Sequence, residues 1–213
     1  MWLLSTVFTS CKKESDDGLL LEQISVNDVL SKRILNFEYD SHGRLTKVKS
    51  KLANTTRTQL SIAYDENGEI SKLDGMKVEK TGDVFTLFSD DTPVCTYSLS
   101  EASLEIKTLS TGRTVTFLFD GNGNIIDISD SRNSTHIICE KYDDKKSPFY
   151  SCATPTWALA EVFLLTACGM VNNLEALSYD GEPMSYTYEY NSAGYPTKQK
   201  SKGVTFDYTY RKK

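Results

Sequence analysis

The sequence predicts a mainly β protein, an antiparallel β-meander of repeated hairpins rolled around one buried α-helix at about residues 155–168. Three observations predict it. One short unit (an aromatic residue, Asp or Asn, two small or polar residues, Gly, one residue more and an apolar residue) occurs four times: in FEYDSHGRL (37–45), IAYDENGEI (62–70), FLFDGNGNI (117–125) and YEYNSAGYP (188–196). Between these units apolar and polar residues alternate, the period of a half-buried strand. A single stretch, TWALAEVFLLTAC (156–168), departs from that alternation and is apolar nearly all round.

Each unit reads as the turn of a hairpin. Asp40, Asp65, Asp120 and Asn191 open turns in which the side chain accepts a hydrogen bond from the N–H two residues on. Gly43, Gly68, Gly123 and Gly194 end them, in the left-handed conformation that other residues resist. Leu45, Ile70 and Ile125 then begin return strands, and fragments at Tyr142-Asp143 and Tyr179-Asp180-Gly181 extend the array at irregular intervals.

In chain order, residues 11–18 form a tether, and strands are expected near 19–26, 30–39, 44–50, 58–64, 69–73, 76–80 and 84–88. More follow near 94–99, 103–108, 113–119, 124–129 and 135–141. The loop DDKKSPFYSCATP (143–155) interrupts the meander; Thr154 can cap a helix that Pro155 opens, with Gly169 as its stop. Trp157, Leu159, Val162, Phe163, Leu164 and Leu165 cover that helix, so it requires burial on more than one side. Strands then follow at MSYTYEY (184–190), about 196–201 and VTFDYTY (204–210). In the first, Met184, Tyr186, Tyr188 and Tyr190 share a face; in the last, Val204, Phe206, Tyr208 and Tyr210 do. So many strands favour a curled sheet over a flat one.

The 213 residues are 39% hydrophobic, enough for one domain, expected to span 19–213. A net charge of -5 with Lys and Arg scattered, apart from Lys12-Lys13 and Arg211-Lys212-Lys213, argues against a nucleic-acid partner. The apolar helix is shorter than the ~18 to 20 residues a membrane span needs and contains Glu161.

The N-terminus, MWLLSTVFTSCKKESDDG, runs from an apolar stretch (Trp2 to Phe8) through Thr9 and Ser10 to Cys11, then turns abruptly charged. It resembles the signal peptide and lipobox of a bacterial lipoprotein, with residues 1–10 as the leader. The resemblance implies cleavage before Cys11 and its acylation, hence a membrane partner through a lipid anchor. Ten residues are short for such a leader, so the true start is expected upstream. KKESDD after the cysteine is similar to the acidic segments that send some lipoproteins to the cell surface, which implies an outer-membrane lipoprotein of the cell envelope with its surface face as the expectation. Of the remaining cysteines, Cys95, Cys139, Cys152 and Cys168 allow three disulfide pairings, and Cys168 is most simply a packed thiol.

Tyr39-Asp40-Ser41-His42-Gly43-Arg44-Leu45 matches in full the Tyr-Asp-x-x-Gly-Arg-Leu core of the YD repeat, and the unit resembles that repeat of RHS-type proteins. A lipobox followed by such hairpins is similar to the YD-like lipoproteins of gut anaerobes. The toxin-housing shell of full RHS proteins is not implied, because those chains are far longer.

No signature supports a catalytic residue, a metal site or a cofactor. His42 and His136 fall in a turn and a strand with no catalytic motif around them. The oxygen-rich stretches at Asp65 and Asp120 lack the Gly and Glu that an EF-hand loop places at its sixth and twelfth positions, so they read as turns. The binding candidate is aromatic: Tyr186, Tyr188, Tyr190, Tyr195 and Tyr208 are candidates for stacking on sugar rings, with Tyr195 expected to be exposed after its turn. The opposite expectation is that these tyrosines pack on the buried helix, since period-2 apolar faces normally point inward. The chain therefore reads as a non-enzymatic binding or scaffold module for a glycan or an envelope protein, with an envelope hydrolase as the alternative.

Overall fold

The computed structural model describes residues 18–28, 32–166 and 169–213, which leaves Cys11, the leader, the tether up to Asp17 and Cys168 outside the described residues. The strands are β1 (Leu19–Asn27), β2 (Lys32–Tyr39), β3 (Leu45–Leu52), β4 (Thr55–Tyr64), β5 (Ile70–Leu73), β6 (Met76–Thr81), β7 (Val84–Ser89), β8 (Thr92–Leu99) and β9 (Ser103–Thr108). They continue as β10 (Thr114–Phe119), β11 (Ile125–Asp130), β12 (Thr135–Tyr142), β13 (Leu174–Tyr179), β14 (Glu182–Ser185), β15 (Thr187–Tyr190), β16 (Pro196–Ser201) and β17 (Val204–Lys212). The one helix among the described residues, α1 (Thr156–Thr166), lies between β12 and β13.

Successive strands pair antiparallel, and β17 returns to pair with β1, Ile24 opposite Tyr208, so the meander closes into a barrel-like ring. Closure removes most of the free edges that an open sheet would expose. The ring has two seams. At one, β4 pairs with β3 through Thr55–Ser61 and with β5 through Ile62–Tyr64. At the other, β14 and β15 form one extended run broken at Tyr186, the first part paired with β13 and the second with β16. The seams divide the ring into a terminal half (β15 to β17, β1 to β3 and the start of β4) and a central half (the end of β4 through β14).

Strand alternation is as the sequence indicates. On β3, Val48 and Ser50 are buried while Lys47, Lys49 and Lys51 point outward. Inward residues of both halves, among them Phe37, Leu60, Phe85, Tyr97 and Phe117, join α1 in one core. Ion pairs stand on the outer face, with Lys49 to Glu38 at 2.5 Å, Lys141 to Glu175 at 2.7 Å and Lys200 to Glu189 at 3.0 Å.

Three details differ from the sequence reading. Strand β13 was not anticipated, because LEALSY has apolar residues at spacing three rather than two; a bulge in its pairing with β12 accounts for the irregular burial. The helix starts at Thr156, with the N–H groups of Ala158 and Leu159 bonded to the Pro155 carbonyl. Thr154 does not cap it, since its hydroxyl oxygen accepts the Leu45 N–H at 2.7 Å on the barrel wall. Finally, Tyr179-Asp180-Gly181 is a two-residue turn with φ 49° and 87° at Asp180 and Gly181, and not a copy of the repeated unit.

Candidate functional site: a plugged end and an outer groove

The four repeated turns share one geometry. In each, the Oδ1 of Asp40, Asp65, Asp120 or Asn191 accepts two N–H groups, from the second and the fourth residue on, at 2.8 to 3.0 Å. The backbone N–H of the same residue bonds the carbonyl of that fourth residue. Gly43, Gly68, Gly123 and Gly194 have φ between 76° and 89°, the left-handed region. Asn191 shows that the oxygen matters and the charge does not. At Asp40, burial pushes the carboxyl pKa up, but the Arg44 N–H, the Arg44 side chain and the His42 N–H outweigh that and hold it below the usual range. These turn oxygens are occupied by N–H groups, and no group of three or more potential metal ligands occurs among the described residues.

A fifth copy is present in disguise. Asp143 accepts the N–H of Lys145, two residues on, as the others do, but the fourth-residue role passes to Asn173. Asn173 donates its N–H to Asp143 Oδ1 at 2.9 Å, and its carbonyl accepts the Asp143 N–H at 3.0 Å. Tyr142 then pairs with Leu174 as Tyr39 pairs with Leu45. Residues 144–172, including α1, are therefore an insertion within a repeated turn.

Strands alternate direction, so this insertion emerges at the end of the barrel that carries all four other turns. It folds inward as a plug. Ala153 donates to the Gly43 carbonyl, Thr154 meets Leu45 and the Tyr64 hydroxyl, and Phe149 packs edge-on to Phe37 at 5.5 Å. Asn172 and Asn124 exchange hydrogen bonds, and Ser151 meets Tyr195 at 2.6 Å. Deeper inside, Trp157 stacks on Phe85 at 4.4 Å and meets Tyr97 at 5.1 Å. The Tyr97 hydroxyl donates to Glu161 at 2.7 Å, and burial raises the Glu161 carboxyl above its ordinary 4.5.

Tyrosines tie several of the repeated turns to a neighbouring strand. Tyr64, Tyr142, Tyr188 and Tyr210 donate their hydroxyls to the carbonyls of Leu45, Ile125, Leu174 and Pro196; Leu45, Ile125 and Pro196 are each the fifth residue after a turn-opening Asp or Asn, and Leu174 follows Asn173 in the equivalent place. Sequence reading missed this role; a Tyr directly before Asp marks it at Tyr64 and Tyr142, and nothing as local marks it at Tyr188 and Tyr210. It also corrects the stacking platform. Tyr186 and Tyr208 lie in the core, Tyr188 and Tyr190 bond inward to Leu174 and Asp143, and Tyr195, expected to be exposed, is 1% exposed between Tyr150 and Tyr210. Tyr186, Tyr195 and Tyr208 are thus buried, and Tyr188 and Tyr190 are half-buried. Cys95, Cys139 and Cys152 are free thiols, and burial pushes Cys95 and Cys139 up to about 11, far from thiolate chemistry at neutral pH.

A shallow concavity of about 220 Å³ lies on the outside of β10, β11 and β12, lined by Thr114, Thr116, Ser129, Asp130, Thr135 and His136, among others. Arg113 holds Asp130 through contacts of 2.6 to 3.1 Å, which lower the Asp130 pKa. His136 Nε2 lies 2.6 Å from Asp127, and Ser129 stands opposite His136 on the neighbouring strand, with no hydrogen bond between them. Hydroxyls, an imidazole and a carboxylate already held by Arg113 line this groove.

Comparison with protein-family models and with curated proteins gives no match. Among solved structures, the chain is similar to a porin-like protein from Bacteroides uniformis at 14% identity and TM-score 0.41, covering 90% of this chain and 98% of that one. It is also similar to a porin-like protein from Bacteroides vulgatus at 10% identity and TM-score 0.44, covering 91% and 99%. Likeness at that level leaves function to the chain's own residues.

Proposed function

We propose that the chain is an envelope lipoprotein, anchored through lipid on Cys11, whose plugged barrel serves as a non-enzymatic binding or scaffold module for a glycan or a protein partner. The outer groove carries this reading. The interior is filled by α1 and the core, and the tyrosines are spent on the wall, so the hydroxyl-lined concavity on β10 to β12 is the place where a ligand finds polar partners. Ion pairs on the outer face, at Glu38, Glu175 and Glu189, interrupt the apolar band that a lipid-facing barrel needs, which supports attachment by an anchor rather than by the strands.

A glycan-binding screen tests the groove, with Thr116→Val and Ser129→Val expected to abolish binding while thermal stability stays near wild type. Binding that survives both changes rejects the groove. The lipid is tested by the mass of the mature N-terminus and by membrane fractionation of Cys11→Ala, and protease accessibility on intact cells reads the face. One observation favours the second reading, an envelope hydrolase: the His136–Asp127 pair beside Ser129. Ester or glycoside turnover lost in His136→Ala would replace the binding reading.

A further inference from the structure

The fold sorts the charges that look scattered in sequence. Residues 18–61 and 187–213, which build the terminal half, carry 13 Lys and Arg against 6 Asp and Glu, a net +7. Residues 62–186, the central half with its plug, carry 9 against 20, a net -11. The seams of the ring fall at those same boundaries, between Ser61 and Ile62 and at Tyr186. A chain of net charge -5 is thus strongly polarised, with opposite signs on its two halves.

The positive charge of the terminal half is displayed outward. Lys47, Lys49 and Lys51 alternate with inward residues of β3, and Lys198 and Lys200 do so on β16. Lys32, Arg57, Lys202 and the terminal Arg211-Lys212-Lys213 are exposed around them. Acidic partners are few, with Glu38 at Lys49, Glu189 at Lys200 and a distant Asp207 at 3.9 Å from Lys198.

The start of the fold lies within this basic half. The Lys213 N–H donates to the Gly18 carbonyl at 3.1 Å, and Leu19 pairs with Lys212. Six residues separate Cys11 from Gly18, and a chain of that length reaches at most about 25 Å. A lipid on Cys11 would therefore hold Arg211, Lys212, Lys213 and the β3 lysines next to the headgroups.

We infer that the basic terminal half is a docking surface for an anionic membrane, the partner being phosphate-bearing lipid headgroups, and that it lays the barrel on the bilayer with the acidic half turned away. This orientation rests on the lipid-anchor reading; the charge attraction does not. The outer groove, on β10 to β12, belongs to the half that faces away, where a ligand can reach it.

The test separates the two. The full chain carrying Cys11→Ala, which cannot be acylated there, is sedimented with phosphatidylcholine vesicles with or without about a third phosphatidylglycerol. The shared apolar contribution of Trp2 to Phe8 cancels between the two vesicle types. At low salt, binding to the anionic vesicles should be at least about tenfold tighter and should fall steeply in 0.5 M salt, where the screening length shrinks below about 5 Å. Lys47→Glu/Lys49→Glu/Lys51→Glu should lose at least about tenfold, whereas Glu79→Lys/Glu105→Lys/Glu140→Lys in the other half should not weaken binding. If the first variant fails to fold, Lys198→Glu/Lys200→Glu/Lys202→Glu reads the same face. Equal binding to both vesicle types, or binding indifferent to both reversals, overturns the inference. So does salt-sensitive self-association without vesicle binding, which would mean that the basic half meets the acidic half of a second copy. Failure of acylation alone, read by mass, leaves the vesicle result standing.

Discussion

The two ends of the barrel are turned by similar residues and do different work. At the end away from the chain termini, Asp74-Gly75, Asp90-Asp91, Asp180-Gly181 and Lys202-Gly203 have positive φ at both positions, the mirror-image turn that suits strand twist. A Cβ added at Gly75, Gly181 or Gly203 meets nothing within 4 Å, and the contacts these turns make are to the wall itself, with Asp74 and Asp180 accepting the N–H groups of Ser61 and His136 on neighbouring strands. At the plugged end, the longer turns opened by Asp40, Asp65, Asp120 and Asn191 also reverse the chain, but Gly43, Arg44, Asn124 and Tyr195 then hold residues 144–172 or one another. The length of the turn decides the difference. Five residues closed by a side-chain oxygen leave carbonyls and side chains free to grip the plug, where the two-residue turns at Asp74 and Asp180 bond only neighbouring strands.

Converting the fifth turn into an ordinary one should break this comparison most severely. Replacing residues 144–172 by Ser-Ala-Gly keeps the spacing from Asp143 to Asn173 that the other four turns have, yet empties the barrel. Loss of one cooperative thermal transition, with strong binding of a hydrophobic dye, is expected, because a wall of this size cannot collapse onto the void. A cooperative transition at the wild-type temperature would show that the plug is not part of the core. The milder Trp157→Ala should cost about 3 to 5 kcal/mol by removing the stacks on Phe85 and Tyr97.

Next in size is the seat itself. Thr154→Val leaves the Leu45 N–H, buried on the wall, without its acceptor and should cost about 1 to 3 kcal/mol in denaturant midpoint. Thr55→Val, exposed at a tight turn of the other end, should change stability by no more than about 0.5 kcal/mol. Equal effects of the two would erase the distinction between the ends.

Glycine substitution sharpens it in another way. Gly43→Val and Gly75→Val both force a β-branched residue to φ near 80°, so each should cost about 1 to 3 kcal/mol, while Gly121→Val, in a motif turn but without positive φ, should cost little. Backbone strain is thus common to both ends, and a large gap between Gly43 and Gly75 would place the difference in the turns rather than in the plug.

Much of the fold was legible because its signals are local. Alternation marks the strands, and an Asp two and four residues before N–H groups marks the turns. The helix stood out as the one stretch that was apolar all round. What was not legible is what the ring brings together. Thr154 looks like a helix cap until Leu45, far away in sequence, takes its hydroxyl. Tyr195 looks exposed after its turn until Tyr150, Ser151 and Tyr210 close over it. Asp143 and Asn173 complete one turn across the plug, which no short motif can reveal. The groove and the opposite charges of the two halves likewise follow from which strands become neighbours.

The smallest expected effect lies inside the plug and depends on pH. Glu161 sits on α1 against Tyr97, where burial raises its carboxyl above 4.5. A raised folded-state value means that the folded protein holds this proton more tightly than the unfolded chain does. The resulting stability is fully present below the unfolded value and is lost as pH rises through the folded one, because only the unfolded chain then loses its proton freely. Asp40, Asp130 and Glu38, whose values are lowered, act in the opposite sense at lower pH, where protonating them removes stability. Their contributions cancel in the difference between wild type and Glu161→Gln. That difference should favour Glu161→Gln increasingly as pH is raised above about 4.5, since glutamine can still accept the Tyr97 hydrogen bond but has no charge to bury. Thermal midpoints of both proteins across this range check it. A difference that stays flat with pH would mean that Glu161 reaches solvent and that the plug is open along α1.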